Sequence, residues 1–172
     1  MESKTIRTKI RAFLRQLLGT LLLMVLVFQA VQWWQTRQLA HDRLPVEALT
    51  TLTGKPLPLD SLPHPYLIHF TASWCPICKL TAPAIASINE QWPVVQIITQ
   101  SGNKDAAIEY AKDHDIPLDR AVNDPDGRLL KLFGAEAVPA DFFVGRDGTI
   151  RMNAVGIGTA WGYRLRLWWL SL

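Results

Sequence analysis

Residues 17–34 run for 18 positions without a charged side chain, and this stretch dictates how the rest of the chain is organised. As a helix it measures about 27 Å, against about 30 Å for the hydrocarbon core of a bilayer. Residues 21–28 are apolar on every side, so the segment lacks the polar stripe that a helix packed on a soluble core turns to water. Five of the 18 basic residues (Lys4, Arg7, Lys9, Arg11 and Arg15) precede the run, and Trp33 and Trp34 close it. A basic flank stays in the cytoplasm and indoles favour the interface, which predicts one span with residues 1–16 inside and everything after Trp34 outside. A cleaved signal peptide begins the same way, but cleavage needs small residues at two fixed places. Ala30 is preceded two positions earlier by Phe28, and Ala40 by Gln38, so the expectation is an uncleaved anchor.

The remainder is sized for one domain. Residues 35–47, with Arg37, His41, Asp42, Arg43 and Pro45, show no sustained periodicity and read as a linker, leaving 48–172 as the domain. The net charge of +3 comes from the N-terminus: residues 35–172 carry 13 basic against 14 acidic side chains. That balance removes the electrostatic support for nucleic-acid binding.

Strand-like and helix-like segments alternate through the domain. Residues 49–59 suggest a short hairpin about Gly54 and Lys55, its second arm confined to an edge by Pro56 and Pro58. Residues 66–71 form the apolar run of a buried central strand, and helical signals follow Cys75 to about Gln91. A β-branched run at 94–99, a helix at 104–113, a short strand at 121–123, and a short helix at 127–133 come next. A strand at 140–144 turns at Arg146, Asp147 and Gly148 into a returning strand at 149–155, so the sheet is expected to be mixed. The tail, 159–172, reads as a short amphipathic helix. Packing on the sheet is favoured over resting on a bilayer, because helices that close a domain are commoner than interfacial ones.

The chain has only two cysteines, Cys75 and Cys78, in Trp74-Cys75-Pro76-Ile77-Cys78. Two are too few for a disulfide framework and too close to staple distant parts of a fold, which points to chemistry. A thiol attacks a disulfide as thiolate, and a second thiol within reach then resolves the mixed disulfide. With Cys75 at a helix N-cap, unpaired N–H groups and the positive end of the helix dipole favour its anion, and Pro76 fits the first helical position. Cys78, one turn on, suits the resolving role. A zinc site needs four ligands; no second Cys pair exists, and His41, His64, His69 and His114 have no paired spacing, so no metal and no cofactor are expected.

The stretch from Phe70 to Lys79, with Val138-Pro139 following some 60 residues later, closely resembles the thioredoxin-like superfamily. The anchored bacterial TlpA-like and suppressor-of-copper-sensitivity D proteins look nearest, over about residues 48–160. The resemblance implies an α/β thioredoxin-like fold, a central mixed sheet flanked by helices and here preceded by one transmembrane helix. It implies a reactive Cys75, a resolving Cys78, and supporting roles for Trp74, Pro76, Ile77, Val138 and a cis Pro139 facing the disulfide. It implies exchange with protein thiols and disulfides on the periplasmic side of a bacterial inner membrane, with a membrane-embedded thiol reductase as electron donor. The reducing direction is favoured, in cytochrome c maturation or protection against copper stress. His69 departs from the pattern: cytoplasmic thioredoxins similar to this domain carry a buried carboxylic acid six residues before the first cysteine. His69 is therefore either a proton-transfer partner of Cys78 or a hydrogen-bonded core histidine. A Cu(I) metallochaperone using both thiolates and a redox-inactive adaptor remain as competing readings.

Overall fold

In the computed structural model the backbone is described for residues 2–36 and 39–172, and side chains for 13, 15–31 and 39–172. The chain divides into two units, Met1–Arg37 and Gln38–Leu172. The first is a helix, α1 (Glu2–Thr36). Its apolar side chains, from Phe13 through Leu17, Leu21, Met24 and Phe28 to Val31, are all exposed. Among the described residues no helix is long and apolar enough to cross a membrane. The span expected at 17–34 ends in positions 32–34, whose side chains lie outside the described residues.

The second unit is built on a five-stranded sheet in the order β5-β4-β3-β6-β7. Its strands are β3 (Tyr66–Thr71), β4 (Val94–Thr99), β5 (Ala121–Asp124), β6 (Ala140–Val144) and β7 (Ile150–Val155). β3 pairs in parallel with β4, and β4 with β5, while β6 runs antiparallel to both β3 and β7. The sheet is mixed, as expected. The expected hairpin also forms, β1 (Ala48–Thr50) against β2 (Pro56–Pro58), as a separate two-stranded sheet.

Every residue of β3 and β4 is buried, because both faces of the sheet are covered. Tyr66, Ile68 and Phe70 point to one side, where they meet Val95, Ile97, Phe133 and Phe142. Leu67 points to the other, where Ile85 and Ile88 of α2 (Pro76–Asn89) meet Tyr163 and Leu167 of α5 (Ala160–Leu170). The tail thus packs on the sheet, with α2 beside it. Helix α3 (Lys104–Asp113) closes a third cluster around Ile98 and Tyr110.

The stretch 39–47, expected to be linker, is packed against this unit. Leu39 is buried in the main core, and Ala40, Leu44 and Val46 lie against it. The Ala40 N–H donates to Phe133 O, and the Asp42 N–H to Ile150 O. The apolar members of this segment are spaced too irregularly to show a helix or strand period, so the sequence signals its polarity and conceals its anchoring points.

Helix α4 (Arg128–Leu132) has no side-chain cap of its own, since Gly127, its N-cap, sits at φ +67°. Asp124 substitutes for it. Its two carboxylate oxygens accept from the Leu129 and Leu130 N–H groups at 3.0 and 3.1 Å, and from the Thr99 hydroxyl at 2.8 Å. A Cβ on Gly127 would both be strained at that φ and lie 3.0 Å from the Gln100 side-chain nitrogen. Removing a buried acceptor that serves three donors is costly, so Asp124→Ala is expected to lose about 2–4 kcal/mol of unfolding free energy. Asp124→Asn should retain part of this, read as the midpoint of urea denaturation.

Candidate redox site

The site forms where β3 ends. After Thr71 the chain turns through Ala72, Ser73 and Trp74, and the Cys75 N–H donates to Ala72 O at 3.2 Å. Cys75 is the N-cap of α2, with extended backbone (φ −93°, ψ 108°), and Pro76 opens the helix. The Cys75 sulfur accepts a hydrogen bond from the Cys78 N–H at 3.1 Å. This is the place where a negative sulfur gains from both a free amide and the helix dipole. Cys75 and Cys78 are joined as a disulfide with Cα atoms 5.3 Å apart. Both residues are deeply recessed, 3% and 1% exposed.

The loop before β6 closes over the sulfurs. The Val138-Pro139 peptide is cis, and the Val138 carbonyl oxygen lies 3.6 Å from the Cys75 Sγ. Val138 packs on Ala72, Cys75 and Cys78. Around this pair the surface is apolar: Trp74, Ile77 and Leu80 are exposed. The Trp74 indole N–H donates to Gln100 O at 3.0 Å, and the Ser73 N–H to the Ser101 hydroxyl at 2.9 Å. The turn after β4 thus braces the turn after β3. Gln100 and Ser101 carry no sequence signal for this role, because the bracing is made through space between segments far apart in the chain.

Beneath the disulfide, His69 is buried in the middle of β3. Its Nδ1 lies 2.7 Å from Asp141 Oδ1, its directly opposed partner across the β3–β6 ladder. The Tyr163 hydroxyl donates to the other oxygen, Oδ2, at 2.7 Å. Burial first, and then the charge and hydrogen bond of Asp141, push the Tyr163 phenol far above its ordinary pKa, so it acts as a donor throughout the neutral range. The two oxygens of Asp141 are thus each within hydrogen-bond distance of one buried side chain, His69 on one side and Tyr163 on the other. Asp141 and Tyr163 were absent from the sequence-derived site. The signal that could have found Asp141 is its position: a lone carboxylate inside an apolar strand needs a buried partner. A cavity of about 10 Å³, lined among others by His69, Thr71, Cys78, Tyr110 and His114, separates this network from α3; that volume is about enough for one water molecule.

Among the described residues no group of three or more His, Cys, Asp or Glu side chains is gathered as a metal would need. A recessed disulfide at a helix start, faced by a cis-proline loop on a mixed sheet of this order, defines a thioredoxin-like protein disulfide oxidoreductase. Residues 40–153 match the AhpC/TSA family, and the chain belongs to that family. A thioredoxin-like protein of Haemophilus influenzae is 28% identical over 162 residues, 92% of this chain and 95% of that one. The thiol:disulfide interchange protein DsbE of Pseudomonas aeruginosa is 28% identical over 129 residues, covering 66% of this chain and 72% of its own. Among solved structures, a secreted Mycobacterium tuberculosis disulfide oxidoreductase homologous to Escherichia coli DsbE superposes with a TM-score of 0.59 at 25% identity. It covers 70% of this chain and 92% of its own.

The Tyr163→Phe variant leaves Asp141 with one donor fewer inside the fold. Its expected cost is about 1–3 kcal/mol in chemical denaturation, with the Cys75–Cys78 disulfide still forming.

Proposed function

We propose that the chain is a membrane-anchored reductant of protein disulfides, working on the periplasmic face of a bacterial inner membrane. The observation that carries the exchange chemistry is the placement of the Cys75 sulfur at the α2 N-terminus, bonded to Cys78 and faced by the Val138 carbonyl. In the reduced protein the Cys75 thiolate attacks one sulfur of a client disulfide and expels the other as thiolate, leaving a mixed disulfide. The Cys78 thiolate then attacks Cys75, closes the Cys75–Cys78 bond and releases the client as a dithiol. Two electrons and two protons pass to the client, and a membrane-embedded thiol reductase restores the dithiol. Pro76 and Ile77 tune the potential, Trp74 and Ile77 border the client's path, and Val138 and Pro139 present free backbone to an extended client segment.

The anchor is supported by the exposed apolar side chains of α1 from Leu17 to Val31 and by the basic residues preceding them. The resemblance carried by the Cys75–Cys78 motif admits clients such as oxidised apocytochrome c cysteines, an oxidised redox partner, or cysteines damaged under copper stress. In the proton bookkeeping, His69 is the proposed partner of Cys78: it lines the same small cavity as the resolving cysteine and is held in one orientation by Asp141.

Cys78→Ser is expected to accumulate mixed disulfides with client proteins, and Cys75→Ser to accumulate none, on non-reducing gels of acid-quenched cells. Equilibration of the full chain with glutathione should give a potential nearer the roughly −270 mV of thioredoxin than the roughly −120 mV of DsbA; a value near the latter would reverse the proposed direction of electron flow. Tight Cu(I) binding without dithiol exchange would replace the reading with that of a metallochaperone. For His69→Asn, the expected result is a resolution step slowed with a changed pH profile, measured as release of a pre-formed mixed disulfide. An unchanged profile would reduce His69 to a structural role.

A further inference from the structure

The side of α5 turned away from the sheet is built unlike a surface that faces water. Tyr163 and Leu167 bury the inner side of the helix, yet Trp161, Leu165, Trp168 and Trp169 are each between 50% and 75% exposed. At about 100° per residue these four positions fall inside an arc of about 100°, opposite the buried pair. Leu172, 74% exposed, follows just past the helix end. Arg164 and Arg166 stand on the two flanks of that arc. The Arg164 guanidinium donates to Ser87 O at 3.3 Å and the Arg166 guanidinium lies over the Phe143 ring at 5.5 Å, so both heads are held against the domain and neither covers the apolar arc. Between α5 and the end of α2, an apolar hollow of about 360 Å³ is lined by Trp92, Trp161, Arg164, Leu165 and Trp168. A patch of this extent on a soluble face marks an interaction surface.

The chemistry of the patch selects its occupant. Indoles prefer the boundary between hydrocarbon and head groups, and positive charge beside them attracts anionic head groups. The charged side chains of α5 are Arg164 and Arg166, and the helix carries no carboxylate side chain. A basic, tryptophan-rich arc without acidic residues is complementary to anionic lipid. A short tether also limits how far the domain can stand from the end of the apolar run. Only five residue steps lie between Trp34, the end of the apolar run, and Leu39, buried in the domain core; fully extended, they span at most about 18 Å. We propose that the outward face of α5 lies in the interface of an anionic bilayer, giving the domain a second hold on the membrane. For the nearness of that bilayer, this rests on the anchored reading above.

The test uses the full chain in vesicles of phosphatidylglycerol and phosphatidylethanolamine whose acyl chains carry bromine, a contact quencher of tryptophan. In the wild type, quenching includes Trp33 and Trp34 and reports the anchor. In W33F/W34F, quenching is expected to persist, and in W33F/W34F/W92F/W161F/W168F/W169F to be lost, with both variants still forming the Cys75–Cys78 disulfide. Replacing the anionic lipid by phosphatidylcholine should weaken the quenching seen in W33F/W34F. If the wild type is quenched but W33F/W34F is not, the anchor stands and the α5 proposal is overturned. Cross-linking of copies of the chain through α5 without lipid quenching overturns it as well. If the wild type neither floats with the vesicles nor is quenched, the anchored reading falls, and the α5 proposal with it.

Discussion

The antiparallel pairing of β6 on β3 is the constraint from which the site follows. Its register sets Phe70 opposite Ala140 and His69 opposite Asp141. With β6 starting at Ala140, the Val138-Pro139 loop is delivered just beyond the end of β3, where the chain turns into Cys75. A slip of one residue would turn Asp141 to the face occupied by Phe70 and Phe133, and would carry the Val138 carbonyl away from the sulfur. The pairing is protected against such a slip by Asp141, whose hydrogen-bond partners lie on one face only.

The same pairing resolves an otherwise expensive feature. A carboxylate inside a closed sheet is destabilising unless its oxygens are satisfied. Asp141 has a donor for each oxygen: one from the neighbouring strand and one from the helix that ends the chain. The buried polar groups therefore tie three parts of the sequence together, β3, β6 and α5. A second link joins the Gly156 N–H to Pro139 O at 2.9 Å, so the proline loop is braced from the segment leading into α5 as well.

Local chemistry was legible in the sequence and long-range placement was not. Cys75 before Pro76 announces a helix start because an N-cap acceptor followed by proline has few other uses, and the run from Tyr66 to Thr71 announces a buried strand because no polar alternation interrupts it for a solvent face. The mixed character of the sheet followed from the alternation of elements and from the turn at Arg146, Asp147 and Gly148. What escaped was whatever depends on contact between distant segments. Leu39 gives no sign locally that it enters the core, Asp124 none that it caps a helix four residues on, and Tyr163 none that it answers a carboxylate on a different strand. His69 was singled out, and Asp141 is marked by its place in an apolar strand, but the pairing of the two required the register. The helix of the tail was legible; the division of its apolar residues into a buried pair and an exposed arc required knowing which side meets α2.

The depth at which the two sulfurs sit has a consequence for the choice of clients. With both cysteines almost wholly covered, a globular protein whose own cystine lies below its surface cannot bring sulfur to sulfur without a clash of backbones. A flexible, locally extended strand can slide along the Val138-Pro139 edge and reach inward. Under the proposed function, selection at such a site would operate on chain conformation before it operates on sequence, favouring extended segments over cystines enclosed in native folds.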